Sequence, residues 1–93
     1  MRSNMRELLL RSRLKQDLKR IVKRGKNKDV LLAIAWLLVK GTSLPEHCRP
    51  HKLSGIYAGL WECHVENDWL LIYNSTEHDV ILYRTGTHAD LFE

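Results

Sequence analysis

The sequence predicts an α+β domain in which two helices, paired as an αα-hairpin, pack on one face of a small antiparallel sheet. Three observations carry this reading. Apolar residues recur twice at helical spacing within residues 12–40, and three segments rich in Trp, Tyr, Val, Ile and Leu follow one another within residues 60–84. Between the two blocks, residues 42–59 contain both prolines and read as irregular structure. With 93 residues the chain has room for one domain, spanning 1–93.

Residues 5–10 could form a short strand, although they lack clean alternation. Ser12 is the expected cap of the first helix, Leu14, Leu18, Ile21 and Val22 its apolar stripe, and Gly25 its left-handed end. Because that stripe is narrow, Arg13, Lys19, Arg20, Lys23 and Arg24 should form a basic outer face. Asn27 suits the cap of the second helix, Val30, Leu31, Ile34, Leu37 and Leu38 its buried stripe, and Gly41 its end. The connection that follows is long for a passive loop and draws notice to His47, His51 and Lys52. Strands are expected over 60–66, 69–74 and 79–84, joined as an antiparallel meander through turns near Asn67-Asp68 and Ser75. Thr87 should cap one closing helical turn, with Phe92 folding back on the sheet. One face of such a sheet is left partly open, where side chains of neighbouring strands can share a concavity.

Charge is unevenly divided. Residues 1–28 hold eleven Lys or Arg against Glu7 and Asp17, a net of +9, whereas residues 29–93 carry −5. A polyanion is the natural partner of the first part. The longest apolar run, residues 30–39, is about half of the ~20 residues that cross a bilayer, so no membrane span is expected. A secretory apolar region of about 7–15 residues is also missing near the start, which points to the cytosol. Cys48 and Cys63 are too few for a disulfide scaffold.

Several polar residues in the second half are candidates for chemistry. Cys48, His51, Cys63 and His64 superficially resemble zinc ligands, but adjacent residues of a strand point to opposite faces, so Cys63 and His64 do not readily share an ion. No metal or cofactor is expected. Trp61, Cys63 and Val65 alternate as a buried strand face would, which makes the thiol a core group. Metal-free RNA cleavage fits the residue types better. It needs a base for the 2′-hydroxyl, a cation for the charge gathering on phosphorus, and an acid for the leaving 5′-oxygen. Histidine suits the first and third tasks, and Arg84 suits the second because its fork matches two phosphate oxygens. Plainer roles stand beside these: Asp68 as a turn cap, Trp69 as a core aromatic, Arg84 as a cross-strand partner of Glu62 or Glu66. Residues alone give a small basic α+β domain suited to binding RNA.

Taken together, His51-Lys52-Leu53-Ser54-Gly55, then Trp61-Glu62-Cys63-His64-Val65-Glu66-Asn67-Asp68-Trp69 and its apolar continuation to Tyr73, then Tyr83-Arg84-Thr85-Gly86-Thr87-His88 through Phe92 resemble the YafQ branch of the RelE/ParE toxin superfamily. The resemblance implies a RelE-like fold and the toxin of a bacterial toxin–antitoxin pair. Such a toxin enters the ribosomal A site and cuts mRNA there without metal, leaving a 2′,3′-cyclic phosphate and a 5′-hydroxyl. It also implies a cognate antitoxin and a toxin–antitoxin hetero-oligomer. The family's catalytic positions fall on His51, His64, Asp68, Arg84 and His88, and Trp69 and Phe92 match positions that shape the site. On this pattern His88 is the acid, Arg84 the phosphate clamp, and His51 or Asp68 the base, with His64 orienting or relaying. Lys52 and the basic helix residues Arg13, Lys19, Arg20 and Lys23 would hold the phosphate backbone. Asn67 stands where relatives often carry proline, and Cys63 where a small residue is common. Two other functions stay open: a gyrase poison like another branch of the superfamily, and a non-catalytic RNA- or ribosome-binding module.

Overall fold

The computed structural model describes residues 5–93. Arg2, one of the basic residues counted above, lies outside the described residues. The chain runs β1 (Glu7–Leu10), α1 (Ser12–Lys23), α2 (Lys28–Lys40), a 3-10 turn (Glu46–Cys48), β2 (His51–Lys52), a second 3-10 turn (Gly55–Tyr57), β3 (Trp61–Glu66), β4 (Trp69–Ser75), β5 (Asp79–Gly86) and α3 (His88–Phe92). Five strands form one sheet in the order β1-β5-β4-β3-β2.

The expected antiparallel sheet is in fact mixed. β2 to β5 pair antiparallel, but β1 lies parallel to β5, with Glu7 to Leu10 opposite Asp79 to Leu82. Parallel strands need a long crossover, and α1, α2 and the meander supply it. The sequence reading also missed β2, whose two residues are too few to show a period; His51 and Lys52 pair with Glu62 and Trp61.

Helix ends follow local chemistry. α1 begins without the expected Ser12 cap: Arg11 holds the cap position and no side chain bonds the first turn. It closes with Gly25 at φ 96°, where Gly25 N–H donates to Val22 O at 2.9 Å and Lys26 N–H to Ile21 O at 3.1 Å. That pair of bonds is a Schellman motif, which needs a left-handed residue. Asn27 caps α2 by accepting from Asp29 N–H at 2.9 Å, and Gly41 ends it.

The main core lies between the helices and one sheet face, built from Leu14, Ile21, Leu31, Ile34, Val39, Val65, Trp69, Leu71 and Leu82 among others. Within α1 the buried face is Leu14, Asp17 and Ile21, while Val22, expected in the stripe, is 46% exposed. The second sheet face is less open than expected. Leu70, Ile72 and Leu91 are buried there beneath Leu53, Tyr57, Leu60, Tyr83 and Phe92, so the 53–60 segment and α3 roof part of it. Phe92 thus does fold back on the sheet. Among the described residues no helix is long and apolar enough to cross a membrane.

Candidate active site on the second face of the sheet

Strand register locates each candidate. Opposed residues of an antiparallel pair share a face. His51 opposes Glu62, Glu62 opposes Ile72, and Ile72 opposes Arg84, so one row crosses the second face from β2 to β5. The next row joins His64, Leu70 and Gly86. His88 follows at the start of α3, over the same face. Neighbouring strands lie about 4.8 Å apart, so His51 and Arg84 anchor their row roughly 14 Å from each other. The five candidates therefore line a strip, and the direct contact among them is the one between Asp68 and His88.

Arg84 is the most constrained of the five. Beyond Leu82, whose carbonyl accepts from Arg11 N–H at 3.0 Å, β5 has no strand on its outer side among the described residues and runs beside α1 instead. There the fully buried Asp17 takes the strand's bonds: Oδ2 accepts from Thr85 N–H at 3.1 Å and from Arg84 Nε at 2.7 Å, and Oδ1 accepts from Arg84 Nη2 at 3.3 Å. Arg20 also donates to Oδ1, at 3.1 Å. Arg84 Nη1 donates to the Tyr57 hydroxyl at 3.4 Å, and that hydroxyl donates to Leu91 O at 2.9 Å. The hydrogen bond to Asp17 raises the Arg84 pKa further, against the opposing effect of burial. Arg84 therefore pairs with Asp17, and not with Glu62 or Glu66 as the cross-strand alternative had it; Glu66 pairs with Lys26 at 3.3 Å.

His51 is half exposed and sits between two acceptors. Its Nδ1 lies 3.1 Å from Arg49 O and its Nε2 3.2 Å from Glu62 Oε1. Glu62 is itself buried, and its Oε2 has no hydrogen-bond partner among the described residues. His64 is half buried and lines a cleft of about 280 Å³ with His47, Arg49, Glu66 and Asn67. Asp68 occupies the β3–β4 turn at φ 52°, a left-handed conformation that aspartate tolerates better than most residues. Its Oδ1 accepts from His88 N–H at 3.1 Å. The His88 ring is 67% exposed at its side chain and packs 4.8 Å, centroid to centroid, from Phe92, which meets Tyr57 edge-on at 5.4 Å. Thus none of the three imidazoles is sealed from solvent.

Other expected site residues stand elsewhere. Trp69 is fully buried on the helix-covered side, where Nε1 donates to Thr85 Oγ1 at 2.8 Å and Thr85 Oγ1 donates to Leu70 O at 2.6 Å. It braces β5 from beneath and has no surface to offer a substrate. Lys52 opposes Trp61, which packs on the main core, and so lies on the face opposite His51. Arg20 is engaged with Asp17 and Asp90, while Lys19 and Lys23 flank a groove between α1 and α2 with Leu18, Val22 and Lys28. Arg13 is exposed on α1. Cys63 faces the core and His64 the other side, and burial pushes the Cys63 thiol up to about 12, far from thiolate reactivity.

Two residues around the site escaped the sequence reading, Asp17 and Tyr57, while Glu62, read only as an alternative partner of Arg84, pairs with His51. Asp17 had a signal. It lies three residues after Leu14 and four before Ile21, where the α1 stripe calls for an apolar side chain.

Residues 6–93 match the family model described as the bacterial toxin of type II toxin–antitoxin system, YafQ. The chain belongs to this family. It is 41% identical to the mRNA interferase toxin YafQ of Escherichia coli K12 over 78 residues, which is 83% of this chain and 85% of that one. Among solved structures it is similar to YafQ from E. coli BL21(DE3), at 35% identity and a TM-score of 0.88, covering 95% of this chain and 99% of that one. The E. coli DinJ-YafQ toxin–antitoxin complex gives 36% identity and a TM-score of 0.86, with 96% and 99% covered.

Proposed function

We propose that this chain, as one RelE-like domain, is an mRNA endoribonuclease that acts in the ribosomal A site and is held in check by a cognate antitoxin in the cytosol. The observation that carries the reading is the second sheet face itself. A guanidinium rooted in a buried carboxylate shares that face with three solvent-reaching imidazoles. Family membership supports the antitoxin partner, since the E. coli relative is known in complex with DinJ.

The reaction asks for a base, an acid and a cation, and the chain offers candidates for all three. The 2′-oxygen attacks the adjacent phosphorus as a base removes its proton; the new O2′–P bond forms, the P–O5′ bond breaks, and an acid protonates the 5′-oxygen. Arg84 offers paired donors to the phosphoryl oxygens as charge collects on them. His88, exposed at the N-terminus of α3, suits the acid. For the base, the register favours Asp68 over His51. Asp68 touches the backbone of His88, whereas His51 lies at the far end of its row and both its ring nitrogens face acceptors. In this reading His51, paired with Glu62, contacts the RNA along the strip, and His64 orients the reacting nucleotide from its cleft. Lys19 and Lys23 stand away from the strip and suit ribosomal RNA or the antitoxin better than the scissile nucleotide.

The test is cleavage of a translated mRNA with and without ribosomes. Cuts ending in a 2′,3′-cyclic phosphate, present only with ribosomes and lost in His88→Ala, are expected. Undiminished cutting by His88→Ala would refute its role, and inhibition of gyrase with mRNA left intact would favour the non-nuclease branch.

A further inference from the structure

We infer that Asp17, a helix residue with no route to the RNA, is the positioning residue for Arg84 and fixes which edge of the guanidinium meets the phosphate. The inference rests on the cleavage reading above and adds a residue to it. A guanidinium has five N–H groups. Asp17 takes the Nε and Nη2 side as a bidentate pair at 2.7 and 3.3 Å, and the Tyr57 hydroxyl takes one N–H of Nη1 at 3.4 Å. What remains is one N–H on each of Nη1 and Nη2. These two donors, one on each terminal nitrogen, are what the guanidinium has left to offer phosphoryl oxygens. An arginine free to turn on its long stem would present any of its edges; here Asp17 occupies the Nε and Nη2 side.

Two further observations support the assignment. Asp17 also binds Thr85 N–H at 3.1 Å, so one carboxylate fixes both the guanidinium and the strand that carries it. The charge also balances in favour of an anion. Asp17 alone would neutralise Arg84, but Arg20 on Asp17 and Asp90, with Arg24 on Asp90, brings the linked cluster to three cations against two carboxylates. Asp17 is fully buried whereas the Arg84 side chain retains 13% exposure, so the carboxylate is the fixed root and the guanidinium the working end.

The experiment is a double-variant cycle in single-turnover cleavage of ribosome-bound mRNA, comparing wild type, D17N, R84A and D17N/R84A, with the Arg84 ¹⁵Nε–H resonance followed by NMR. Wild type should show a slowly exchanging Nε–H that exchanges faster in D17N, where one oxygen is left for the donors that Asp17 shares between two. D17N should slow cleavage about 10²-fold, the scale of a misplaced reacting group, and should add nothing to the defect of R84A. A D17N factor that multiplies fully onto R84A would overturn the inference, as would unchanged cleavage by D17N. Should D17N fail to fold, guanidinium rescue decides instead: added guanidinium should restore cutting by R84A but not by D17N/R84A, where no unpaired charge is left buried, and equal rescue of both would overturn the assignment. A wild type that never cuts, or an R84A variant as fast as wild type, defeats the cleavage reading and this role with it, while the Nε–H signal still reports whether the pair exists.

Discussion

Asp68 accepts the main-chain N–H of His88 at 3.1 Å across twenty positions of sequence, tying the β3–β4 turn to the first residue of α3. The same helix is held from its other side. Thr87 caps it by accepting from Asp90 N–H at 3.1 Å, Asp90 Oδ2 accepts from Thr87 N–H at 2.9 Å, and Arg24, at the C-terminal cap of α1, grips the Asp90 carboxylate at 2.6 and 3.1 Å. Gly86 makes room for this, since a Cβ there would meet Asp90 Cβ at 2.8 Å. Five residues are far too few for a helix to stand alone. The stance of His88 is therefore set by the turn, the cap and α1 together.

Asp68 has two tasks in this scheme, a cap for α3 and a base for the 2′-hydroxyl, and two substitutions separate them. Asp68→Asn keeps an amide oxygen for His88 N–H but cannot take a proton; Asp68→Ala loses both. We expect cleavage by Asp68→Asn to fall about 10²- to 10⁴-fold, the usual worth of general base catalysis. Its melting temperature should stay above that of Asp68→Ala. Cleavage near the wild-type rate by Asp68→Asn, with a defect confined to Asp68→Ala, would leave only the capping role.

Asp90 gives the α3 anchorage a defined pH dependence. The Arg24 guanidinium, helped by both Thr87 contacts, holds its carboxyl well below the usual carboxylate range, against a smaller opposing effect of burial. A depressed folded-state pKa contributes stability that is fully present above the unfolded value and fades as pH falls through it toward the folded one. The gap in melting temperature between wild type and Asp90→Asn should thus be flat from neutral pH to about pH 5 and narrow below about pH 4. A gap independent of pH throughout this range would show that the charge of Asp90 contributes nothing.

Legibility in the sequence followed the length and regularity of each signal. The helices and the three long strands announce themselves because each repeats its period several times, as in Val30, Leu31, Ile34 and Leu38 or Trp61, Cys63 and Val65. β2 has no period to read, and the parallel pairing of β1 is a property of the whole chain path, fixed only when α1 and α2 pack and return the chain to the sheet. The site residues were found by type and motif, while their supports were hidden by distance. Asp17 and Arg84 are 67 positions apart, Tyr57 and Arg84 27, and nothing local to either member marks the pair. For Trp69 the core reading holds, but a strand aromatic beside a motif aspartate gives no sign of which face it takes; the bulge between His64 and Glu66 helps decide that.

Trp69 supplies the remaining test, since burial and motif membership predict different behaviour. Its indole N–H bonds Thr85 Oγ1 at 2.8 Å beneath the sheet, and Thr85 is the residue whose own N–H reaches Asp17. Trp69→Phe removes that hydrogen bond and leaves a smaller ring in a fully buried position. The lost bond costs about 1 kcal/mol and the unfilled volume adds to it, so melting should drop by several degrees for a domain of this size. Below that transition, cleavage should stay within a few-fold of wild type, with an unaltered dependence on mRNA concentration, because the ring touches no RNA. A loss of 10²-fold or more in a variant that is still folded at the assay temperature would mean that Trp69 leaves the core to meet the substrate, and the frame role assigned to it would fall.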